Sequence, residues 1–431
     1  MAVIDLRVYI CSEPSGILHQ DETGLITFRY DNDYRGAPLS LSMPVSNRTY
    51  AQSVVRPFLF GLLPDSDQQR RAIASEHDVK PNNPVALLDC IGLDCPGGAQ
   101  FLRVGNESEL LTRQSDYRPM GEHEIAFKLK AIREDANTSW MGRDESWSLG
   151  GNQGKFALAL HDDTWCECLG SNPTTHIFKN GVSGFRLQAL NEYICMRTAQ
   201  AANIPSAPVS YAFFEDEPAL IVERYDRALT SSGNVERLHQ EDLCQALSVM
   251  PNQKYTADGG PATREILTLL TGTSHHQINL RVFTQMLFFN YLIGAPDAHA
   301  KNYSLLLGKN GDAVLAPMYD VASAFPYEHL RHKGRLAMPI GGENRFGRVS
   351  GGAIHRYVGG NDPEFTVLLE KAGLTETYCL RCMADLAQTI PEAMSETFDE
   401  ANDKGIPGIS ELRERLLGPV EKSCKDTLAL L

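Results

Sequence analysis

One short stretch of this sequence limits its possible folds more than any other. The apolar run VFTQMLFFNYLI is followed directly by GAPDAHAKNYS, which extends from Gly294 to Ser304. The run reads as a buried helix, and Gly-Ala-Pro is a typical end for one. An aspartate, a histidine, a lysine and an asparagine then follow within six positions. Buried polar groups cost free energy unless they have hydrogen-bond or charge partners. So many polar residues next to a buried helix therefore predict a functional loop.

The spacing Asp-x-x-x-x-Asn, from Asp297 to Asn302, is the one with which protein kinases place a catalytic aspartate and a metal-binding asparagine on one loop. Two β-like runs, YSLLLG and AVLAPMYD, follow, and the second ends at Asp320. A hairpin between the two aspartates predicts that they lie on facing loops. In the alternative interpretation, Asp297 lies in a turn that ends a helix and Asn302 caps a strand.

Phosphoryl transfer explains why these residue types occur together. Mg2+ that bridges phosphate oxygens needs hard oxygen ligands, and a carboxylate must orient the attacking hydroxyl. On this interpretation Asp297 is the base, and Asn302 and Asp320 hold the magnesium ion.

Two upstream residues match further parts of a kinase. Lys179 ends the alternating run TTHIFKN, where a strand lysine would hold nucleotide phosphates. About a dozen residues later, Glu192 opens a predicted helix and could pair with that lysine. The alternatives are a solvent-exposed lysine and a first-turn glutamate that favours the helix dipole in any protein.

A glycine-rich segment, SWSLGGNQGKFALAL, precedes that strand. Glycines let backbone N–H groups approach phosphates closely. The segment does not fit a Walker A motif, because Leu149 stands where the first glycine is required and Phe156 where Ser or Thr must hold magnesium. It also departs from the kinase pattern GxGxxG, and a plain hairpin turn remains an alternative.

Composition limits the class of protein. A chain of 431 residues with 42% hydrophobic content can bury a large core. A formal net charge of -14 argues against a protein that holds nucleic acid through its own overall field. The start MAVIDLRVYI resembles a first strand rather than a signal peptide, and we find no apolar run long enough for a membrane helix. We therefore expect a cytoplasmic protein.

Ten cysteines are scattered along the chain, which suits reduced thiols. Two spacings resemble those of metal sites: Cys166 with Cys168, and Cys379 with Cys382. No second CxxC or histidine pair completes a set of four ligands, so we interpret these cysteines as core residues.

The pattern of hydrophobic residues divides the chain into three predicted parts. Residues 1–113 read as a small α+β module, with runs such as AVIDLRVYI and GLITFRY and a helix-like stretch through VVRPFLFGLL and DQQRRAIASEH. Residues 114–226 contain the strand-like runs KFALAL, THIFKN, VSYAFF and ALIVERY and one helix-like insertion, NEYICMRTAQAANIP. Residues 227–431 read as mostly helical. A cleft is expected between a sheet-rich half and a helical half.

Taken together, the segments of this chain resemble those of the HipA family of bacterial toxin Ser/Thr kinases. The segments that carry the resemblance are SLGGNQGK, PTTHIFK, NEYICM, VERYDR, QEDLCQAL with KYTADGG, GAPDAHAKN and YDVASAFP. In the first third, PLSLSMPV and FLFGLLPDS also look like the family's N-terminal module. They occur in the family's order and cover most of the chain. The sequence departs from the family pattern at Pro296 and Ala298, but neither change removes a ligand.

The resemblance implies an α+β, protein-kinase-like two-lobe fold, with a sheet-rich N-lobe, an added N-terminal subdomain and an all-helical C-lobe. It implies ATP and Mg2+ as cofactors and Asp297 as the catalytic base. His299 is given a supporting role beside the transferred phosphate, Lys301 adds positive charge, and Asn302 and Asp320 are the metal ligands. The nucleotide-binding residues that it implies are Lys179, Glu192, Gly150, Gly151, Asn152, Gln153, and Glu223 with Tyr225 as the hinge.

The resemblance also implies regulation and partners. Ser148 falls at the position of the family's autophosphorylated serine, and a phosphate there would repel ATP phosphates from the loop. Family members pair with a small helix-turn-helix antitoxin, HipB, that binds operator DNA. Characterised relatives phosphorylate an aminoacyl-tRNA synthetase and stop translation. For Ser148, the alternative is a serine that simply starts a strand.

Two other function classes remain open. One is a pseudokinase that binds ATP and acts as a corepressor, although Asp297, Asn302 and Asp320 are all present. The other is a small-molecule kinase, which shares the Asp-x-x-x-x-Asn logic.

Overall fold

The computed structural model describes residues 2–107, 117–135, 147–231, 233–331 and 333–431. The chain forms two compact units. The first unit comprises Met1–Ser183, Ser210–Asn252 and Ser304–Ala313, and the second comprises Gly184–Val209, Gln253–Tyr303 and Val314–Leu431. The predicted three-part division at residues 113 and 226 stays a prediction.

The first unit begins with an antiparallel sheet in the strand order β4-β3-β2-β1-β5. In β1, buried and half-buried residues alternate, as expected for a strand with one face on the core. The helices α1 to α3 contribute the other side of that core, which includes Phe28, Phe58 and Phe101. The elements of this region are β1 (Ile4–Ile10), β2 (Glu13–Gln20), β3 (Ile26–Tyr30), β4 (Thr49–Tyr50), α1 (Gln52–Gly61), α2 (Asp67–Glu76), α3 (Pro84–Ile91) and β5 (Ala99–Arg103).

A second sheet follows, in the order β10-β11-β9-β7-β8-β6. Its core combines aromatic residues from three strands, Phe156, Phe178 and Phe214, with the apolar face of helix α4. These elements are β6 (Tyr117–Pro119), α4 (Glu122–Glu134), β7 (Phe156–His161), β8 (Thr164–Cys168), β9 (His176–Lys179), β10 (Val209–Phe214) and β11 (Glu217–Glu223).

Short elements complete the first unit. The strands β12 and β13 pair with each other, and β14 pairs with β15 in antiparallel fashion. Their bounds are β12 (Arg227–Leu229), β13 (Val235–Arg237), β14 (Gln240–Asp242), the four-residue helix α6 (Leu243–Ala246) and β15 (Ser304–Leu307).

The second unit is mainly helical. Its central helix, α8, is buried over most of its length because large apolar side chains occur on all of its faces. The elements are α5 (Gln188–Ala201), α7 (Thr263–Thr271), α8 (His276–Leu292), α9 (Glu328–Arg331), α10 (Gly351–Tyr357), α11 (Pro363–Lys371), α12 (Glu376–Asp403) and α13 (Ile409–Leu428), and strand β16 (Ala313–Leu315) leads into this unit. Cys379 and Cys382 lie on α12 and are buried. Among the described residues, no helix has both the length and the apolar character to cross a membrane.

The structure corrects one prediction about the region 114–226, because the described part of this region contains two helices rather than one. Helix α4 was missed, although Ile125, Leu129 and Ile132 follow helical spacing and are buried. The strand β2 was also missed, because EPSGILHQ begins with exposed polar residues. The other strand-like and helix-like runs quoted above fall on observed elements.

Candidate active site

The loop that contains Asp297 begins where helix α8 ends at a glycine. Gly294 has a φ angle of +72°, in the left-handed region that glycine adopts at low cost. The Ala295 N–H donates to the Asn290 carbonyl at 2.8 Å, which closes the last turn of the helix. A Cβ atom on Gly294 would lie 2.5 Å from the ring of Phe325. Both backbone angle and space therefore require glycine where the chain leaves the helix.

The carboxylate of Asp297 is accessible, with 59% of its side chain exposed. Its Oδ1 atom accepts a hydrogen bond from the hydroxyl of Tyr255 at 2.6 Å. The Nε2 atom of His299 lies 3.6 Å from the same oxygen. An exposed carboxylate with one oxygen held by a donor can accept a proton from a hydroxyl that approaches its other oxygen.

Asn302 folds back onto the start of the same loop. Its side-chain Nδ2 donates to the Asp297 carbonyl at 2.7 Å, and its backbone N–H donates to the His299 carbonyl at 2.9 Å. Because the amide nitrogen is used in this way, Oδ1 is the atom that Asn302 can offer to a cation. The side chain thus closes the Asp297 loop, in contrast to the alternative in which it only caps a strand.

Asp320 stands on a second loop of the same unit. Its φ angle is +61°, a conformation that aspartate tolerates better than most residues. The hydroxyl of Tyr319 donates to the Lys301 carbonyl at 3.0 Å, which joins the two loops. The carboxylate of Asp320 and Oδ1 of Asn302 are hard oxygen donors, so this set suits Mg2+.

Ser323 holds the Asp320 loop against two helices. Its hydroxyl donates to the Ile293 carbonyl at 2.6 Å, just after α8. The side chain of Asn191, on α5, donates to the Ser323 carbonyl at 2.7 Å and accepts from the Ser323 N–H at 3.3 Å. These bonds fix the loop's path three residues after Asp320.

His299 is only 2% exposed, and its ring lies edge-to-face with Tyr255 at a centroid distance of 4.8 Å. Lys301 is buried as well. Both residues thus belong to the Asp297 loop and have buried side chains, and their predicted contacts with the transferred phosphate stay predictions.

The structure corrects the placement of Glu192. Helix α5 begins at Gln188, so Glu192 is its fifth residue rather than a first-turn residue. The favourable effect of the helix dipole falls off within the first turn, so it does not explain this glutamate. Glu192 is 1% exposed, and Gln188 Nε2 lies 3.5 Å from its Oε2. Its predicted pairing with Lys179 joins residues of different units and stays a prediction.

Lys179 lies at the end of β9 in the first unit, where it is paired with Leu220 of β11. It is 4% exposed, so the alternative of a solvent-exposed lysine is wrong. A buried ammonium group needs compensating partners, which makes this lysine unusual among strand residues.

Hydrogen bonds to its backbone carbonyl groups hold the glycine-rich loop in place. The carbonyl of Gly151, a residue with a φ angle of +97°, accepts from the Asp65 N–H at 3.1 Å. The side chain of Gln69 donates to the Asn152 carbonyl at 3.3 Å. Lys155 Nζ donates to the Gly150 carbonyl at 2.9 Å. Gly150, Gly151, Asn152 and Gln153 thus form a loop that rests on residues of the N-terminal region.

Sequence reasoning overlooked Lys155. The residue is buried, and its ammonium group lies inside the glycine-rich loop. Its signal in the sequence is its position at the end of SLGGNQGK, directly before strand β7. Lys155 and Lys179 are thus two buried lysines of the first unit.

Ser148 is 1% exposed. Its N–H donates to the Asp94 carbonyl at 3.0 Å, and its hydroxyl donates to the Leu62 carbonyl. Strand β7 begins only at Phe156, so the alternative in which this serine starts a strand is wrong.

The segment that follows β11 contains the two predicted hinge residues. Glu223 is exposed. The hydroxyl of Tyr225 donates to Gln240 Oε1 at 2.6 Å, and burial raises its pKa well above the usual range. Because that hydroxyl is engaged, an adenine contact at Tyr225 would involve another part of the residue.

A buried charge network surrounds this hinge segment and was not predicted. Asp94 lies 2.8 Å from Arg227, 2.8 Å from Arg237 and 3.3 Å from Arg224. Asp226 lies 2.9 Å from Arg224. Burial alone would raise the pKa of Asp94, but Arg227, Arg237 and Arg224 together hold it well below its usual range. The network joins the hinge segment to the N-terminal region through residues far apart in sequence.

Two protein-family models match the chain. The family described as HipA-like C-terminal domain matches residues 147–394, and the family described as HipA N-terminal domain matches residues 6–102.

Curated relatives match over most of their length. A protein of Sinorhizobium fredii named "Putative kinase Y4mE" is 32% identical, and the match covers 94% of each chain. A protein of Shewanella oneidensis named "Serine/threonine-protein kinase toxin HipA" is 27% identical over 88% of this chain and 84% of its own.

A solved structure confirms the kinase-like α+β fold. It is described as a Shewanella oneidensis toxin-antitoxin complex of HipA, HipB and operator DNA, and it superposes with a TM-score of 0.81 at 24% identity. The match covers 99% of this chain and 98% of the other.

Proposed function

Because the chain belongs to the HipA family, we propose that it is a Ser/Thr protein kinase that transfers the γ-phosphate of ATP to a protein. The observation that carries the proposal is the geometry of the Asp297 loop. One segment presents an accessible carboxylate and an asparagine amide oxygen, and Asp320 lies on a loop joined to it. These are the residue types that phosphoryl transfer requires.

In the proposed reaction, Asp297 accepts the proton of the attacking hydroxyl and orients that hydroxyl toward the phosphate. Asn302 and Asp320 hold Mg2+. When bound, the ion supplies positive charge that neutralises the phosphate oxygens. His299 supports the loop from its buried position beside Tyr255.

The proposed nucleotide-binding residues have distinct tasks. Lys179 anchors the phosphates and Glu192 orients the lysine, while Gly150, Gly151, Asn152 and Gln153 cover the phosphates. Lys155 is a further candidate, because its ammonium group lies within that loop. Glu223 and Tyr225 hold the adenine. Lys179 and Glu192 are each buried rather than exposed at the surface, which supports a task for each side chain inside the protein.

We further propose that Ser148 is an autophosphorylation site whose modification turns the kinase off. The hydroxyl of Ser148 is buried and donates to the Leu62 carbonyl, a place that a phosphate group cannot occupy. Phosphate oxygens accept hydrogen bonds and carry about -1.5 to -2 charges, so they would be repelled by that carbonyl. The modified loop would then leave its position and would no longer cover the nucleotide.

The biological role that we propose is that of a toxin in a HipBA-type toxin-antitoxin system. A relative is named as a kinase toxin, and a protein of the same fold is described in complex with HipB and operator DNA. On this proposal, a HipB-like helix-turn-helix antitoxin mediates contact with operator DNA, which suits a chain whose net charge is -14. The target is a protein of the translation machinery, such as an aminoacyl-tRNA synthetase.

The experiment that tests this proposal maps the transferred phosphate. The purified chain is incubated with Mg2+ and ATP that carries a labelled γ-phosphate, and labelled residues are identified by mass spectrometry. We expect label on Ser148. If the chain binds ATP without transferring label to itself or to proteins of a bacterial lysate, the ATP-binding corepressor replaces the kinase. Label that appears only on small molecules would indicate a small-molecule kinase.

A further inference from the structure

Tyr255 contacts the Asp297 carboxylate directly from outside the Asp297 loop. Its hydroxyl donates to Oδ1 at 2.6 Å, although 42 positions separate the two residues. Tyr255 belongs to the segment KYTADGG, to which sequence reasoning gave no role.

The turn that carries Tyr255 is tightly closed. The Tyr255 carbonyl accepts from the Gly260 N–H at 2.9 Å and from the Asp258 N–H at 3.0 Å. A Cβ atom on Gly260 would lie 1.9 Å from the Gln253 carbonyl oxygen, so the chain approaches itself too closely there for any other residue. Thr256 also donates to the Pro261 carbonyl at 3.0 Å. A turn held by this many local bonds presents the tyrosine in one position.

Two side chains hold the ring itself. His299 packs edge-to-face against it, and the ammonium group of Lys254 lies 5.5 Å from its centroid. Both of these side chains are buried. The ring is therefore packed between the turn and the Asp297 loop, and its hydroxyl is fixed relative to the carboxylate.

A phenol that donates to a carboxylate forms a short, charge-assisted hydrogen bond. This bond restricts rotation of the Asp297 side chain and occupies Oδ1. The other oxygen, Oδ2, is then the atom that meets an attacking hydroxyl. A carboxylate held in one orientation is the condition under which a general base acts well, since a misplacement of about 1 Å can cost a hundredfold in rate.

We infer that Tyr255 is a positioning residue for phosphoryl transfer, which it supports by orienting the carboxylate of Asp297. The inference rests on the proposed role of Asp297 as the base. Tyr255 itself transfers no proton and does not bind the nucleotide.

The test compares Tyr255→Phe with the wild-type chain. The measured quantity is the initial rate at which the protein incorporates label from ATP at saturating Mg2+ and ATP. We expect the rate to fall about tenfold to hundredfold, with an unchanged apparent KM for ATP. Tyr34→Phe is the matched control, because it also removes one hydrogen-bonded tyrosine hydroxyl, but in the N-terminal region. The hydroxyl of Tyr34 donates to the Ala37 carbonyl at 2.7 Å. The control should retain the wild-type rate.

A double-mutant cycle separates positioning from a general structural effect. If Tyr255 acts through Asp297, Tyr255→Phe should cause no further loss in an Asp297→Asn background. A purely structural effect would multiply with that of Asp297→Asn and would also raise the KM for ATP.

The outcomes also separate this inference from the proposed function. If Asp297→Asn transfers label as fast as the wild type, the proposed function is wrong. If Asp297→Asn is impaired but Tyr255→Phe matches the wild-type rate, the function stands and the inference is wrong. A faster Tyr255→Phe variant would also overturn it, because the phenol would then be competing with the substrate hydroxyl for Asp297.

Discussion

The Asp297 loop and the glycine-rich loop are built in different ways. In the Asp297 loop, Asn302 and His299 bond to residues two to five positions away. In the glycine-rich loop, Ser148 bonds to Leu62 across 86 positions, and Asn152 accepts from Gln69 across 83. The backbone of the first loop is thus closed largely by local bonds, to which Tyr255 and Tyr319 add contacts from more distant segments. The second loop depends on residues of a separate N-terminal region.

This difference assigns a supporting task to the N-terminal region. Residues 62–69 and Asp94 contact the glycine-rich loop and the hinge segment directly. The N-terminal region thus supports the proposed nucleotide-binding residues of the first unit from outside the segments that carry them. Changes in that region should affect the glycine-rich loop far more than the Asp297 loop.

The largest effect should follow from Asp94→Ala, which removes the long-range support. The substitution leaves Arg224, Arg227 and Arg237 with less compensation in a buried site. Removing one partner from a buried ionic network costs about 3–5 kcal/mol, and we expect a loss of that size in the free energy of unfolding. Urea denaturation measures it.

The control for that prediction is Lys422→Ala, which removes an exposed ion pair with Asp426 on helix α13. Such pairs contribute less than about 1 kcal/mol. Equal effects of Asp94→Ala and Lys422→Ala would show that the buried network does not support the first unit.

The local support of the Asp297 loop is tested by Gly294→Ala. A Cβ atom at this position meets the Phe325 ring and forces a left-handed conformation on alanine. We expect a loss of about 2–4 kcal/mol in unfolding free energy, the sum of backbone strain and overpacking.

Gly405→Ala separates those two terms. Gly405 also has a positive φ angle, +68°, but a Cβ atom there would have no neighbour within 4 Å. The Gly405→Ala variant should lose only about 1–2 kcal/mol of unfolding free energy, through backbone strain alone. If thermal unfolding shows the same loss for both variants, contact with Phe325 plays no part in shaping the loop.

A smaller effect, on binding rather than stability, is expected from Ser148→Asp. A carboxylate in place of the buried hydroxyl faces the Leu62 carbonyl and should displace the loop. We expect the Kd for ATP to rise at least about tenfold, equal to 1.4 kcal/mol. Ser148→Ala keeps the loop uncharged and should bind ATP nearly as well as the wild type. Isothermal titration calorimetry distinguishes these results, and full affinity in Ser148→Asp would refute the proposed switch.

The difference between local and long-range bonds also explains which residues and elements could be predicted from the sequence. Asp297 and Asn302 were found because their spacing lies within one segment that follows an obvious helix. The type of most elements could be predicted because apolar residues recur with helical or strand periodicity. Local pattern therefore accounts for most of the fold and for the residues of the Asp297 loop.

Contacts between distant segments could not be predicted in this way. Tyr255 reaches Asp297 through a turn 42 positions away, and Asp94 meets Arg224 across 130 positions. Glu192 was placed in a first turn because nothing in the sequence marks the start of α5, whose N-cap, Leu187, makes no side-chain capping bond. Lys155 and the burial of Ser148 depend likewise on how the glycine-rich loop packs.

The most direct test of the central claim is the rate of phosphate transfer in Asp297→Asn. The variant keeps the size of the side chain and removes the carboxylate, and Asp403→Asn, an exposed substitution at the end of α12, serves as its control. We predict that Asp297→Asn incorporates label from ATP at least about a hundredfold more slowly than the wild type while binding ATP equally well. A rate within a few fold of the wild type would contradict the claim that Asp297 is the base.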